Sequence, residues 1–523
     1  MNERDNLNDA HHARDEVVAA DIHLLASLGY GQELLRRMSG FSNFAISMSI
    51  ICIVSGGITS FPQGFSSVGG AAIGLGWPLC CLLSLCVALA MAQAASAFPT
   101  AGGVYHWAAI LGGRGWGWLA AWFNLAGLIT ALAAINVGTY QFALRSLASA
   151  GGFDVNESLF ADQSTAQIVG VLVITCAQAL LNHLGIRLTA ALTDFSGYWI
   201  LLVASALTAA MLFYAGPLDP ARLVTFTNYS GTGGGGIWPA TDHVAWLFLL
   251  GFLLPAYTVT GFDASANTSE ETVGASHHVP QAIVRSVLVS GLFGWVMLSA
   301  VVLAIPNMND AAAAGNDSFH WIVERVLPHR VWVGLSLGIV VAQFFCGLAT
   351  VTSASRIAYA FARDGGLPFS HRLRVVNSTY RTPVAAIWTV ALLAVGFVIL
   401  TESYAAITGA CTIFLYISYV IPTALGLVAY GKSWTRMGPW RMGAAMYRVM
   451  ALLSIVCCGL IVAIGVQPPN DQNLWIVLGA VLLTAVVWIA YERSHFRGPP
   501  QGILRQPEFP ADQRAQPAAV GEN

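Results

Sequence analysis

Long apolar runs separated by short polar loops fill almost the whole chain. About twelve of them reach the roughly 20 residues that a helix needs to cross a bilayer. They lie at roughly 41–66, 76–98, 115–146, 165–184, 188–215, 243–271, 280–305, 331–362, 383–400, 403–430, 446–466 and 473–491, here numbered spans 1 to 12. Thr401 and Glu402 alone separate spans 9 and 10. The pattern predicts an all-α membrane protein. Residues 1–20 are polar and predict no ordered structure. Residues 21–37 carry Ile22, Leu24, Leu25, Leu28 and Leu34–Leu35, which predict a short interfacial segment ending at Arg36–Arg37. The tail after Arg497 is rich in Pro, Gln and Ala and reads as disordered. The expected division is a tail and interfacial segment over 1–37, a transmembrane domain over 38–491 and a C-terminal tail over 492–523.

The pattern is interrupted where it matters most. Span 1 carries Ser55-Gly56-Gly57-Ile58-Thr59 in its middle. Each glycine costs about 1 kcal/mol against alanine in a helix interior. In lipid, any backbone group so freed must find a partner inside the protein. Span 6 carries Pro255, with Gly261 just after it, in LLPAYTVTGFDASANTSEET. Spans 1 and 6 open two halves of five spans each, about 41–215 and 243–430, and run in opposite directions. Paired breaks in corresponding helices of two halves mark the binding site of secondary transporters. The alternative for span 1 alone is a glycine pair for close helix packing.

A broken helix ends in unpaired carbonyls and restarts with unpaired amides. The first attract cations and the second attract anions. Facing breaks therefore suit a small zwitterion. Its carboxylate is expected on the amides of Gly56, Gly57, Ile58 and Thr59, and its ammonium near the carbonyls around Ser55 and Pro255–Tyr257. Tyr257, Thr258, Thr260 and Phe262 are candidates to shape the side-chain pocket, with Tyr257 or Phe262 as an aromatic lid, and plain packing as the alternative. Asp263 is the one acid inside a span away from the interface, which makes it a functional candidate. Its alternative role is to cap the half-helix that follows. Glu270 and Glu271 are expected to pair with arginines in an inner gate. Thr350, Thr352, Ser353 and Ser355 of span 8 offer hydroxyls, with Thr352 and Ser353 as a possible sodium site, or small residues for packing. Asn124, Asn136 and Tyr140 of span 3 line a path or bond to neighbouring helices.

Composition sharpens the picture. The chain has 523 residues, 56% hydrophobic and 10% charged, with mean hydropathy +0.65. A soluble chain carries about 25% charged residues. The net charge of −2 points to no nucleic acid partner. The nine cysteines show no metal spacing and sit in apolar runs. Positive charge is asymmetric. With the N-terminus inside, inner loops hold Arg36, Arg37, Arg114, Arg187, Arg285, Arg363, Arg372, Arg374, Arg381, Lys432, Arg436, Arg441, Arg448, Arg493 and Arg497. Outer loops hold Arg222, Arg325 and Arg330, with Arg145 near a span end and the acids Asp154, Glu157, Asp162, Asp219, Asp310 and Asp317. This predicts both termini in the cytoplasm, and a plasma or inner membrane location.

Four blocks in order carry a resemblance: LASLGYGQELLRRMSGFSNFAISMSI before the span 1 break, AFPTAGGVYHWAA leading to GWGWLAAWFN, TGFDASANTSEET, and SRIAYAFARDGGLPFSHRLRVVNSTYRTPV. From about Leu25 to about Ala490 the chain resembles the amino acid–polyamine–organocation superfamily, closest to its amino acid/choline transporter branch with GABA-type permeases. The resemblance implies a LeuT-type fold of two inverted five-helix repeats plus two extra helices. It implies alternating access, with a ligand site over Ser55 to Thr59 and Tyr257 to Asp263. The family's G-x-G becomes Ser55-Gly56-Gly57 here, so the carboxylate register stays open by one residue. Some relatives place a lysine in span 5, and 188–215 has none. Proton coupling, sodium coupling and exchange all stay open, and no cofactor or obligatory protein partner is expected.

The expected function is a permease for a small amino acid or GABA-like compound. The other classes are a choline or ethanolamine transporter, and a sensor that binds without transport. An enzyme is not expected, because His183 and His243 have no partner at ligand spacing.

Overall fold

The computed structural model describes residues 3–152, 159, 164–401, 403–435 and 437–500. Asp154, Glu157, Asp162, Glu402, Arg436 and the tail from 501 onward lie outside the described residues. Among the described residues there is no strand. Ten helices are long and apolar enough to cross a bilayer, and two shorter apolar ones, Val244–Thr258 and Val384–Leu400, complete the expected set. Arg114–Gly151, His329–Arg363 and Tyr404–Ala429, which are spans 3, 8 and 10, pack around the broken spans 1 and 6.

The breaks lie one turn from where the sequence placed them. Span 1 starts at Gly40, capped by the Ser39 hydroxyl, which accepts from the Ser42 amide at 3.0 Å. Its first half ends at Ile51, and Cys52 leaves helical geometry at φ 11°, ψ 85°. Gly56 and Gly57 begin the next helix, Gly56–Thr59, rather than forming the gap. The gap is Cys52–Ser55. In span 6, Pro255 lies inside the helix Leu253–Thr258. A proline ring clashes with the carbonyl four residues earlier. That carbonyl belongs to Gly251, at the interruption between Val244–Leu250 and Leu253–Thr258. The main break follows at Val259–Asp263, before the short helix Ala264–Asn267.

Polar side chains satisfy part of the backbone freed by the breaks. Asn43 and Ser47, one turn apart on span 1, face span 6. The Ser47 hydroxyl donates to the Phe262 carbonyl at 2.9 Å and accepts from the Ser265 amide at 2.9 Å. The Asn43 amide group donates to the Ser265 carbonyl at 2.9 Å. The Cys346 thiol of span 8 donates to the Ile50 carbonyl at 3.3 Å. No water is needed at these positions.

The N-terminal stretch differs from expectation. Residues 3–27 form a helix, Glu3–Ser27, where the composition predicted none. Leu24, Leu25, Leu28, Tyr30 and Leu34 are buried in the bundle rather than laid on an interface. Leu34 packs with Ala101, Tyr359 and Ala360, and Asp21, Arg36 and the amides of Arg37 and Met38 bond to residues 269–274, so protein partners stand where a membrane surface was expected.

Candidate functional site

Between the two breaks lies a cavity of about 20 Å³, lined by Ser55, Gly56, Tyr257, Thr258, Thr260 and residues of spans 3, 8 and 10 that include Cys346 and Cys411. A volume near 10–15 Å³ holds one water, so this conformation is closed around a space smaller than an amino acid. No charged side chain lines it. Among the predicted residues, Ser55, Gly56, Tyr257, Thr258 and Thr260 thus converge on one space. Ile58 and Thr59 line a separate pocket of about 360 Å³ on the face opposite the N-terminal segment. Its walls include Gln141, Arg145, Asp317, His320 and Tyr404. Tyr404, Thr59 and Gly138 meet at its floor, where a Cβ on Gly138 would lie 3.1 Å from the Tyr404 hydroxyl and 3.3 Å from Thr59.

The expected carboxylate cradle is rearranged. The amides of Gly56, Gly57 and Thr59 donate within the helix, to the carbonyls of Cys52 at 3.0 Å, Ile53 at 3.1 Å and Ser55 at 2.9 Å, and the Ile58 amide donates to Ser55 at 3.2 Å. Among the described residues, the amides of Ile53 and Val54, in the gap itself, have no hydrogen-bond partner. The free donors therefore lie two and three residues before Gly56, the first donor the sequence suggested. A helix that resumes at Gly56 consumes its own first amides by bonding to the turn before it.

The two glycines have different tasks. A Cβ on Gly56 would sit 3.0 Å from the Thr258 Cα, so this is where spans 1 and 6 touch backbone to backbone. A Cβ on Gly57 would meet side chains at ordinary contact distance, Leu298 and Met297 at 3.7 Å and Trp77 at 3.9 Å. Gly56→Ala is expected to destabilise by about 1–3 kcal/mol through overpacking. Gly57→Ala is expected to be neutral or stabilising, by up to about 1 kcal/mol of helix propensity. Thermal unfolding of the two purified variants in detergent tests this, and equal midpoints would refute it.

Gly261, Phe262 and Asp263 lie behind the cavity wall. Phe262 is fully buried with its ring 5.0 Å from that of Tyr419, and it does not line the cavity. Asp263 precedes the helix Ala264–Asn267 but makes no side-chain capping bond. Its oxygens accept instead from the Tyr419 hydroxyl at 2.6 Å and the Asn124 amide group at 2.8 Å. Asn136 pairs with Gln178 and Thr175 of span 4, and the Tyr140 hydroxyl donates to the Leu159 carbonyl. The span 8 hydroxyls are also engaged. Thr352 donates to Asn182 at 2.7 Å, and Ser353 accepts from Asn267 at 2.9 Å. Cys346 of span 8 bonds instead to the Ile50 carbonyl of span 1.

The face carrying the N-terminal segment is sealed by charge. Glu271 accepts two bonds from Arg356, each at 3.0 Å, with both side chains fully buried. Glu270 accepts two from Arg363, at 2.9 and 3.0 Å, and one from the Ala101 amide at 3.0 Å. Arg363 lies over the Tyr30 ring at 3.7 Å. Tyr30 and Tyr105 both donate to Asp364, at 2.6 and 2.7 Å, and His106 lies 3.2 Å from it. Burial pushes the Asp364 carboxyl up, but the His106 hydrogen bond and the nearby His106 and Arg363 charges more than offset it and hold it below the usual carboxylate range. Arg36 adds bonds to the carbonyls of Ser269 and Thr272. The expected pairing of Glu270 and Glu271 with arginines is present, with Arg356 inside span 8 rather than in a loop. Arg356 was legible as a lone cation in an apolar run, whereas Tyr404, Tyr419 and Cys346 carried no signal beyond their residue type.

Comparison with known proteins follows this geometry. A family model described as amino acid permease matches residues 38–490. The chain is 33% identical over 505 residues to Amino-acid permease BAT1 of Arabidopsis thaliana, covering 92% of this chain and 96% of that one. It is 30% identical over 499 residues to Amino-acid permease BAT1 homolog of Oryza sativa subsp. japonica, covering 91% and 94%. It is 26% identical over 503 residues to Amino-acid permease 2 of Neurospora crassa, covering 91% and 88%.

Proposed function

The chain belongs to the amino acid permease family, and from that premise we propose that it moves a small amino acid or GABA-like zwitterion by alternating access. Membership makes it an integral, multi-pass transporter of amino acids and not an enzyme. The ligand site is the space between the breaks, formed by Ser55, Gly56, Tyr257, Thr258 and Thr260. Gly57 and Gly261 to Asp263 support it from behind. The ligand carboxylate takes the amides of Ile53 and Val54 in the Cys52–Ser55 gap. The neutral walls favour a neutral ligand over one with a second charge.

The observation that carries this reading is the asymmetry of access. An open pocket of about 360 Å³ reaches Thr59 and Tyr404 from one face. On the other face, two buried arginine–glutamate pairs close the path. Alternating access needs one gate shut while the other is open. The charge pattern of the loops orients the sealed face, with both termini, toward the cytoplasm of the plasma or inner membrane. Residues 38–491 form the transport domain, with repeats over about 41–215 and 243–430.

The test is uptake into proteoliposomes of a labelled mixture of neutral amino acids and GABA. Wild type is expected to accumulate or exchange at least one of them, and Gly56→Leu to do neither. If wild type moves none of these but moves choline or ethanolamine, the ligand is an organic cation. If ligand binds and nothing moves, the protein is a sensor.

A further inference from the structure

We propose that Asp263 binds the coupling proton, and that Tyr419 passes its protonation state to the substrate cavity through Thr260. This rests on the permease reading above.

The first observation is a fully buried acid without a cation; Asp194 of span 5 also lacks one but is only half-buried and accepts from the Ser42 hydroxyl. Asp263 is fully buried. Four other buried acids each face a basic side chain: Asp21 with Arg36, Glu270 with Arg363, Glu271 with Arg356 and Asp364 with His106. Asp263 has no Lys, Arg or His within ion-pair distance among the described residues. The groups that face it are neutral on every element. Span 10 supplies Tyr419, with Ser418 behind Asn124. Span 3 supplies Asn124. Span 6 itself supplies Asn267. Ser47 of span 1 is held by Phe262 and Ser265. The one other titratable group in contact is the Tyr419 phenol. A carboxylate buried without a cation is poorly stabilised, and taking up a proton removes the penalty. Intramembrane acids of this kind mark proton relays.

The second observation is the connection to the break. The Tyr419 hydroxyl donates to Asp263 at 2.6 Å and accepts from the Gly261 amide at 3.1 Å. It also faces the Thr260 hydroxyl, which is buried, has no hydrogen-bond partner and lines the cavity. With Asp263 ionised, the phenolic hydrogen points to its carboxylate. When Asp263 takes up a proton, the new O–H donates to the Tyr419 oxygen, and the phenolic hydrogen turns to Thr260. The Thr260 oxygen then accepts, and its own hydrogen is presented to the cavity. One O–H bond forms on Asp263, and every other change is a rotation. A substrate carboxylate gains a donor only when Asp263 is protonated, so proton and substrate favour each other's binding.

The experiment is accumulation and exchange in proteoliposomes, with the neutral amino acid and GABA mixture, under an imposed pH or sodium gradient. Wild type is expected to accumulate substrate with an acidic exterior and to ignore sodium. Asp263→Asn, fixed in the neutral form, is expected to exchange at a rate that no longer varies with pH. Its gradient-driven accumulation is expected to fall to the no-gradient level. Tyr419→Phe keeps the acid but cuts the relay, and its accumulation ratio is expected to fall by about tenfold, equivalent to a coupling loss of about 1.4 kcal/mol. It decides the matter if Asp263→Asn does not fold. The proposal is overturned if either folded variant accumulates substrate like wild type, or if wild type follows sodium and not pH. If wild type neither accumulates nor exchanges any of the mixture, the permease reading fails first.

Discussion

Arg356→Met with Glu271 left in place is expected to destabilise the closed face at the N-terminal segment by about 3–5 kcal/mol. The pair is fully buried, and its two bonds of 3.0 Å join span 8 to the end of span 6. Removing the cation leaves a carboxylate with neither water nor counter-charge. The closed conformation suffers most, because opening the gate returns Glu271 to water. A shift of about 3–5 kcal/mol is enough to invert an equilibrium that favours the closed gate a hundredfold. A cysteine introduced at Ala101, now fully buried beside Glu270, is expected to become reactive from the face that carries the N-terminal segment. The double variant Arg356→Met, Glu271→Leu is expected to regain thermal stability, since an apolar pair can replace a buried ion pair without loss. Unchanged stability and unchanged labelling in Arg356→Met alone would mean that the gate is held elsewhere, with Glu270–Arg363 the next candidate.

Gly261→Ala is expected to destabilise by about 2–5 kcal/mol, the sum of two separable effects. The residue has φ +83°, and a Cβ would lie 2.4 Å from the Ile50 Cγ2. The left-handed backbone accounts for about 1–2 kcal/mol, and the overlap for about 1–3 kcal/mol. Ile50→Ala removes the overlapping methyl but not the backbone strain. In the Ile50→Ala background, adding Gly261→Ala is therefore expected to lower the unfolding midpoint by less than it does in wild type. An equal drop in both backgrounds would assign the whole effect to the backbone. A midpoint unchanged by Gly261→Ala would show that the break does not need this geometry. Gly261 also donates its amide to Tyr419, so the same change is expected to disturb the group beside Asp263.

The positions of the spans were legible because a bilayer demands about 20 apolar residues per crossing, and that demand is local. The existence of breaks in spans 1 and 6 was legible for the same reason, since glycine and proline act on their own neighbours. The location of the gaps was not. Gly56 is needed where span 1 meets Thr258, and Pro255 perturbs the carbonyl four residues before it, so the gaps open at Cys52–Ser55 and Val259–Asp263 instead. Asp263 shows the limit most clearly. Its residue type alone allowed a helix cap or a functional acid. Asn124 from span 3 and Tyr419 from span 10, more than a hundred residues away on either side, took its oxygens from the backbone. The N-terminal segment was read as interfacial because its apolar pattern suits a bilayer surface as well as a protein groove. What the sequence by itself determined is the set of spans, their breaks and the acids of the gate, all properties of local periodicity and residue chemistry. Which donors are free, which hydroxyls are occupied and which face is sealed were decided only by tertiary structure, because each depends on partners that sequence distance hides.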